Sequence, residues 1–248
     1  MVVPGTFLGN RYGTVCSNGR PPVESGYFHR MTALNLTSDE LLSTTRAVRK
    51  RLDLTRDVPD ELIRECAAAA LQAPSGGNEV TMNFVVVKDP DKRRAMAAVY
   101  AQCWEMYEAS PFFAGKIKRD TAAHQAQQDR VADSATYLAH HMAECPALVL
   151  ACIAGGRLDG VTAMHSASAL GNILPATWSF MLAARARGLG TAWTTIHLMQ
   201  EQAMADVVGI PHDTVQQVCL TPLAFTVGTD FKAAVRPAPD TIIHWDTW

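Results

Sequence analysis

The chain has 248 residues, 48% apolar and 19% charged, an ordinary globular composition with enough material for the core of one large domain. Its formal charge of −2, from 22 basic and 24 acidic residues, gives no reason to expect nucleic acid or an anionic membrane as a partner. The six cysteines form no CxxC pair and have no histidine at metal-ligand spacing, so neither a disulfide framework nor a metal site is expected. No window approaches the roughly 18 apolar residues of a membrane span, and no charged segment followed by a long apolar run opens the chain, so it reads as cytoplasmic.

Residues 1–30 are rich in Gly, Pro and Asn without amphipathic period and read as an extended arm; one domain is expected over 31–248. Thr37-Ser38-Asp39-Glu40 is a capping box, in which Thr37 caps a helix and Glu40 reaches back; Leu41, Leu42, Thr45 and Val48 follow at helical spacing. Pro59 opens a second helix, with Leu62, Ile63, Cys66, Ala67 and Ala70 on one face, ending near Gln72. Asn83 to Asp89 is a continuous run rich in β-branched residues, the pattern of a buried strand. The stretch from Pro90 to Glu144 reads as mostly helical, and Pro146 to Ile153 as a second strand. A long helix is expected from about Thr162 to Arg187, bent or broken by Pro175 and closed by Gly188 in the left-handed conformation. "GTAWTT" and "QQVCLTPLAF" read as strands, with a short helix from Glu201 to Val208 between them. The tail from Gly228 to Trp248 is too poor in apolar residues to form a core of its own and is expected to wrap something. The order predicts one α+β or three-layer domain.

Four stretches carry chemistry. If "TTRAVRKR" is helical, Arg46, Arg49 and Lys50 share one face; that face is either solvated or answers a phosphate. "QAPSGGNEV", from Gln72 to Val80, is more polar than a turn requires: two glycines let backbone approach a flat ligand, and Ser75 and Asn78 offer hydrogen bonds to its edge. "GLGTAW" closes a helix instead of opening one, so it is not a dinucleotide fingerprint. Arg236 has no acidic neighbour in the tail before Asp240. No Ser/His/Asp or Cys/His arrangement is evident, and His140-His141 lack a third ligand. No side chain is therefore assigned as catalytic; anion-binding arginines with glycine-rich contact loops point to a cofactor that does the chemistry.

In order along the chain, "TTRAVRKRLD", "VPDELI", "ALQAPSGGN", "FVVVKDPDKR", "ILPATWSFMLAARARGLGTAWTT", "VVGIPHD" and "FKAAVRPAPDTIIHWDTW" resemble the FMN-dependent nitroreductase family. The resemblance implies an α+β fold with a central, mainly antiparallel sheet flanked by helices. It also implies a homodimer with two FMN sites at the interface and a tail that embraces the partner. By position, Arg46 and Arg49 hold the FMN phosphate and ribityl end, joined by Arg236; Ala47 stands where the family often has Ser. Pro74, Ser75, Gly76 and Asn78 approach the flavin from the other subunit, while Pro175, Ala176, Gly190 and Thr191 lie near the ring. Val80 and Met82 replace the Gln and aromatic residue of many relatives and are expected to line the acceptor slot.

The implied reaction is ping-pong, with chemistry at the flavin N5: NADPH or NADH gives hydride, leaves, and a nitroaromatic or quinone-like acceptor takes its place. A flavin-binding or sequestering protein without turnover is the rival from another class. Reductive dehalogenation and flavin breakdown, both known in the superfamily, are rivals among enzymes.

Overall fold

A computed structural model describes residues 33–248; the expected arm at 1–30 lies outside the described residues. In chain order the regular elements are α1 (Ser38–Thr44), α2 (Asp60–Ala70), β1 (Met82–Val87), α3 (Pro90–Ala109), α4 (Ala122–His141), β2 (Ala147–Ala154), α5 (Ala163–Ala186), β3 (Leu189–Thr191), α6 (Glu201–Val208) and β4 (Val215–Phe225). The strands form one antiparallel sheet in the order β1-β2-β4-β3. No helix among the described residues is long and apolar enough to cross a membrane.

The sheet lies between two helical layers. Along β2, Leu148, Leu150 and Cys152 face a core shared with α3, α4 and α6, while Ala147, Val149, Ala151 and Ile153 face one shared with α2 and α5. Alternation puts successive side chains on opposite faces. A strand covered on both faces must therefore be apolar throughout, as the run from Pro146 to Ile153 is. Leu62 and Ile63 of α2 are buried under the sheet, each contributing about 1.5–3 kcal/mol of apolar burial. Phe84 of β1 meets Phe180 of α5 with ring centroids 5.2 Å apart.

Three expectations need correction. The helix at Thr37 is capped as expected: Thr37 Oγ1 accepts from the Glu40 N–H, and the Thr37 N–H donates to the Glu40 carboxylate at 2.8 Å. It stops at Thr44, however, so "RAVRKR" is not helical. The chain turns extended at Thr45, Ala47 bridges Thr191 in parallel, and the Val48 N–H donates to the Thr191 carbonyl at 2.8 Å. α1 buries none of its residues, whereas this extended path buries Val48 and Leu52 in the core; burial outweighs the local helical pattern.

Second, Pro175 does not break α5, which continues from Ala163 to Ala186. The proline removes one hydrogen bond and crowds the carbonyl four residues back, at a cost of about 3 kcal/mol. Ile173, Phe180 and Met181 are buried on the same helix, each contributing about 1.5–3 kcal/mol, which offsets that cost. Third, "GTAWTT" yields only the short β3, followed by a single bridge from Thr194 to Leu220. This gap explains Pro222 inside β4, a central strand. Leu220 exchanges both backbone hydrogen bonds with Thr194, and the Thr226 N–H donates to Gly188, so the even-numbered peptides of β4 face β3. Pro222, which lacks a donor, falls between Thr191 and Thr194, where no strand requires one. Gly188 closes α5 with φ +75°, the expected left-handed cap.

Candidate active site

The bridge between Ala47 and Thr191 fixes where the arginines stand. Gly190 makes the approach possible: a Cβ there would lie 2.9 Å from Val48 Cβ, 2.9 Å from a Leu52 methyl and 2.8 Å from a Thr226 methyl. The chain then turns, with the Leu52 N–H donating to the Arg49 carbonyl at 3.2 Å, and leaves antiparallel to the end of β4. Arg46 to Arg51 and Asp230 to Lys232 line an open pocket of about 380 Å³ on this turn.

Five cations line the pocket, and they divide by partner. Lys50 pairs with Asp133 at 2.5 Å, and Arg51 with Asp230 at 2.7 Å, while Phe231 stacks under the Arg51 guanidinium at 4.2 Å. Among the described residues, Arg46 and Arg49 have no carboxylate. Arg46 Nη1 donates to the Lys232 carbonyl at 3.1 Å, and Arg49 Nη1 donates to the Ser134 hydroxyl of α4 at 3.3 Å. Burial holds the Arg49 guanidinium below its ordinary range, and the like charge of Arg46 adds to this against Tyr100, which acts the other way. A cation taken from water without a counter-charge is costly, and an anion in the pocket relieves that cost.

The glycine loop lies elsewhere. Gly76 donates its N–H to Asn172 Oδ1 of α5 at 2.7 Å, which ties the loop to the middle of that helix. Gly77 and Asn78 then take φ of +65° and +57°, a tight left-handed pair that leaves Asn78 exposed. None of Pro74, Ser75, Gly76 or Asn78 lines the arginine pocket.

Of the residues expected beside the ring, Ala176, Gly190 and Thr191 are buried in this chain and Pro175 is half-buried. Ala47 is exposed beside the pocket, and its methyl offers no hydrogen bond. Of the two positions expected on the acceptor slot, Val80 is exposed, whereas Met82 is packed into the core with α2 and α5. Within this chain Arg236 is not among the residues lining the Arg46 and Arg49 pocket; it lines a different recess, against α4. Sequence reading missed Ser134, Lys232 and Asn172, each of which positions a site residue. Ser134 is 85 residues from Arg49 and Asn172 is 96 from Gly76, separations that no local pattern signals.

The Nitroreductase family model matches residues 42–229. This chain belongs to the nitroreductase family. Solved structures share the fold at low identity. Iodotyrosine deiodinase bound to FMN and 3-iodo-L-tyrosine matches at 17% identity and TM-score 0.62, covering 85% of this chain and 99% of that one. The FMN- and NADPH-dependent nitroreductase NfnB from Sphigopyxis sp. strain HMH matches at 17% and 0.58, covering 86% and 100%. A BluB-like flavoprotein from Clostridium difficile 630 matches at 19% and 0.59, covering 86% and 100%.

Proposed function

We propose that this chain is an FMN-dependent oxidoreductase that takes hydride from NADPH or NADH and reduces nitroaromatic or quinone-like acceptors, working as a homodimer in the cytoplasm. The observation that carries the reading is the pair Arg46 and Arg49, two arginines without a carboxylate in a pocket where Lys50 and Arg51 are each paired with an acid. Their forked donors fit a phosphate. Bound there, FMN supplies the hydride chemistry at its N5; the chain binds and orients it. Arg49 is held for this by Ser134, and Arg46 by the Lys232 carbonyl. Ala47 contributes its backbone alone.

Two features support a site shared between copies. The loop with Ser75 and Asn78 does not line the arginine pocket of its own chain, which is compatible with a ligand that draws the two from different chains. Large apolar side chains are also exposed on α5, at Leu174 and Trp178, and on the tail, at Ile242, Trp245 and Trp248. A second copy packed over them would bury this apolar surface. Five buried, unpaired thiols among the described residues fit a reducing compartment.

The test is optical. Purified protein is expected to be yellow, to bleach under NADPH or NADH without oxygen, and to recover its colour with a nitroarene. Flavin that neither nicotinamide reduces would replace the reductase with a flavin carrier. The shared site is tested with mixed dimers of Arg46→Ala and Asn78→Ala chains. A shared site restores about one intact site per mixed dimer, since the two-fold places both defects in the other. Flavin content no higher than in either parent dimer contradicts it.

A further inference from the structure

We propose that the recess between the tail and the N-terminal half of α4 is a second anion site, distinct from the arginine pocket, which takes the carboxylate or phosphate of a small molecule. Its volume of about 550 Å³ is that of a small-molecule site, larger than a lone ion requires. Arg119, His124 and Gln128 line it from the α4 side, and Val235, Arg236 and Pro237 from the tail. No acidic residue lines it.

Gln128 shows that the recess is built. Its side chain is buried, with the residue only 8% exposed. The amide nitrogen donates to the Ala114 carbonyl at 2.8 Å, which turns the amide oxygen toward Arg119. That oxygen accepts from Arg119 Nε at 3.0 Å and Nη2 at 2.8 Å. A neutral amide thus holds one edge of the guanidinium without cancelling its charge, and Nη1 is left to donate. Two other fixed arginines are held by an acid instead: Arg187 by Glu65 at 2.6 Å and Arg157 by Glu201 at 2.9 Å. Arg119 and Arg236 have no such acid among the described residues. One cation oriented by a neutral amide and a second, Arg236, lining the same hollow without a carboxylate make the donor set of an anion site.

The recess follows the arginine pocket along the same two elements. Ser134 holds Arg49, and Val131 and Gln128 lie one to two turns nearer the start of α4, about 5–9 Å along its axis. In the tail, Lys232 lines the first pocket and Val235 to Pro237 the second. The second site therefore stands beside the proposed flavin phosphate without sharing its arginines. The anion belongs either to a nucleotide, such as the donor's phosphates, or to an acidic acceptor.

The experiment measures binding to the protein as purified, at low ionic strength, with two pairs of probes: AMP against adenosine, and p-nitrobenzoate against p-nitrobenzamide. Wild type is expected to bind the anionic member of one pair about tenfold more tightly than its neutral partner, the value of one charge-assisted contact. The pair that shows the preference identifies the source. Arg119→Gln is expected to abolish the preference with flavin content unchanged. Arg119→Lys, which keeps a charge but not the fork held by Gln128, is expected to retain part of it; that rescue separates loss of the site from loss of the fold. The proposal is overturned if wild type shows no preference in either pair, or if the preference survives Arg119→Gln. It is also overturned if Arg119→Gln releases the flavin, because the recess then belongs to the flavin site. Flavin-free protein that still prefers an anion supports this site while overturning the flavin reading.

Discussion

Arg157 and Arg49 are both largely withdrawn from water, and they are answered in opposite ways. Arg157, in the loop after β2, meets both oxygens of Glu201 at 2.9 and 3.2 Å, and Asp159 at 2.6 Å. Glu201 in turn accepts from the Gln217 N–H at 2.9 Å and the Gln216 amide at 3.0 Å, so α6 is tied to β4. Arg49 has only the Ser134 hydroxyl. An arginine whose charge is matched inside the fold is part of the scaffold. One whose charge is left unmatched at the edge of an open pocket, as Arg49 is, is stabilised by an anion that enters that pocket, and that makes it a candidate ligand site.

Removing the matched carboxylate should hurt most. Glu201→Ala leaves Arg157, whose side chain is 20% exposed, with only the exposed Asp159 as counter-charge, and takes the acceptor from the Gln217 N–H. A loss of about 4 kcal/mol is expected in the urea unfolding free energy. A loss under about 1 kcal/mol would mean that the network is not scaffold. The same carboxyl responds to acid. Burial opposes its ionisation, but the hydrogen bonds from Arg157 and the Gln217 N–H outweigh it and hold it below the usual range. Its contribution is therefore present above its ordinary value of about 4.5 and is lost as pH falls through the lower folded value.

His197, fully buried beside this network, acts at higher pH. Neither ring nitrogen has a partner among the described residues, and burial pushes its pKa from 6.5 to about 4. The unfolded chain therefore binds a proton in this window that the folded chain refuses. Stability is unaffected above pH 6.5 and falls as pH drops toward 4, by about 3 kcal/mol in all. His197→Leu should flatten the stability profile between those limits. An unchanged profile would show that the imidazole is not the titrating group.

Smaller effects are expected around the arginines. Gly190→Ala forces its new methyl against Val48, Leu52 and Thr226, at a cost of about 1–3 kcal/mol, and should loosen flavin by shifting the turn that carries Arg49. A variant that melts like wild type would show that the bridge tolerates a side chain. The smallest effect has the opposite sign. Arg49→Met removes a cation with no counter-charge and should leave flavin-free protein equally stable, or more stable by up to about 1 kcal/mol. Destabilisation by more than that would place Arg49 with Arg157.

The scaffold was more legible in the sequence than the site. The capping box at Thr37, the left-handed Gly188 and the apolar runs of β1, β2 and β4 are local signals, and the structure carries them out where they fall. "RAVRKR" shows helical spacing locally, but its conformation is set by Thr191, across the chain, which no local pattern signals. Pro175 looks like a break in isolation, but burial beneath the sheet overrides it, and the gap after β3 accommodates Pro222 within the expected strand. The arginines were found by residue type, but their state was hidden. Whether an arginine is matched depends on partners such as Glu201, Ser134 and Gln128, which are 44, 85 and 9 residues from the arginines they hold.

The central claim, that Arg49 is unmatched because a phosphate matches it, is tested by titrating wild type and Arg49→Met, both stripped of flavin, with FMN and with riboflavin, which differ by that phosphate. Wild type should bind FMN more tightly than riboflavin, and Arg49→Met should reduce the ratio of the two affinities about tenfold to a hundredfold while leaving riboflavin binding nearly unchanged. An FMN-to-riboflavin ratio that is the same in both proteins would contradict the account.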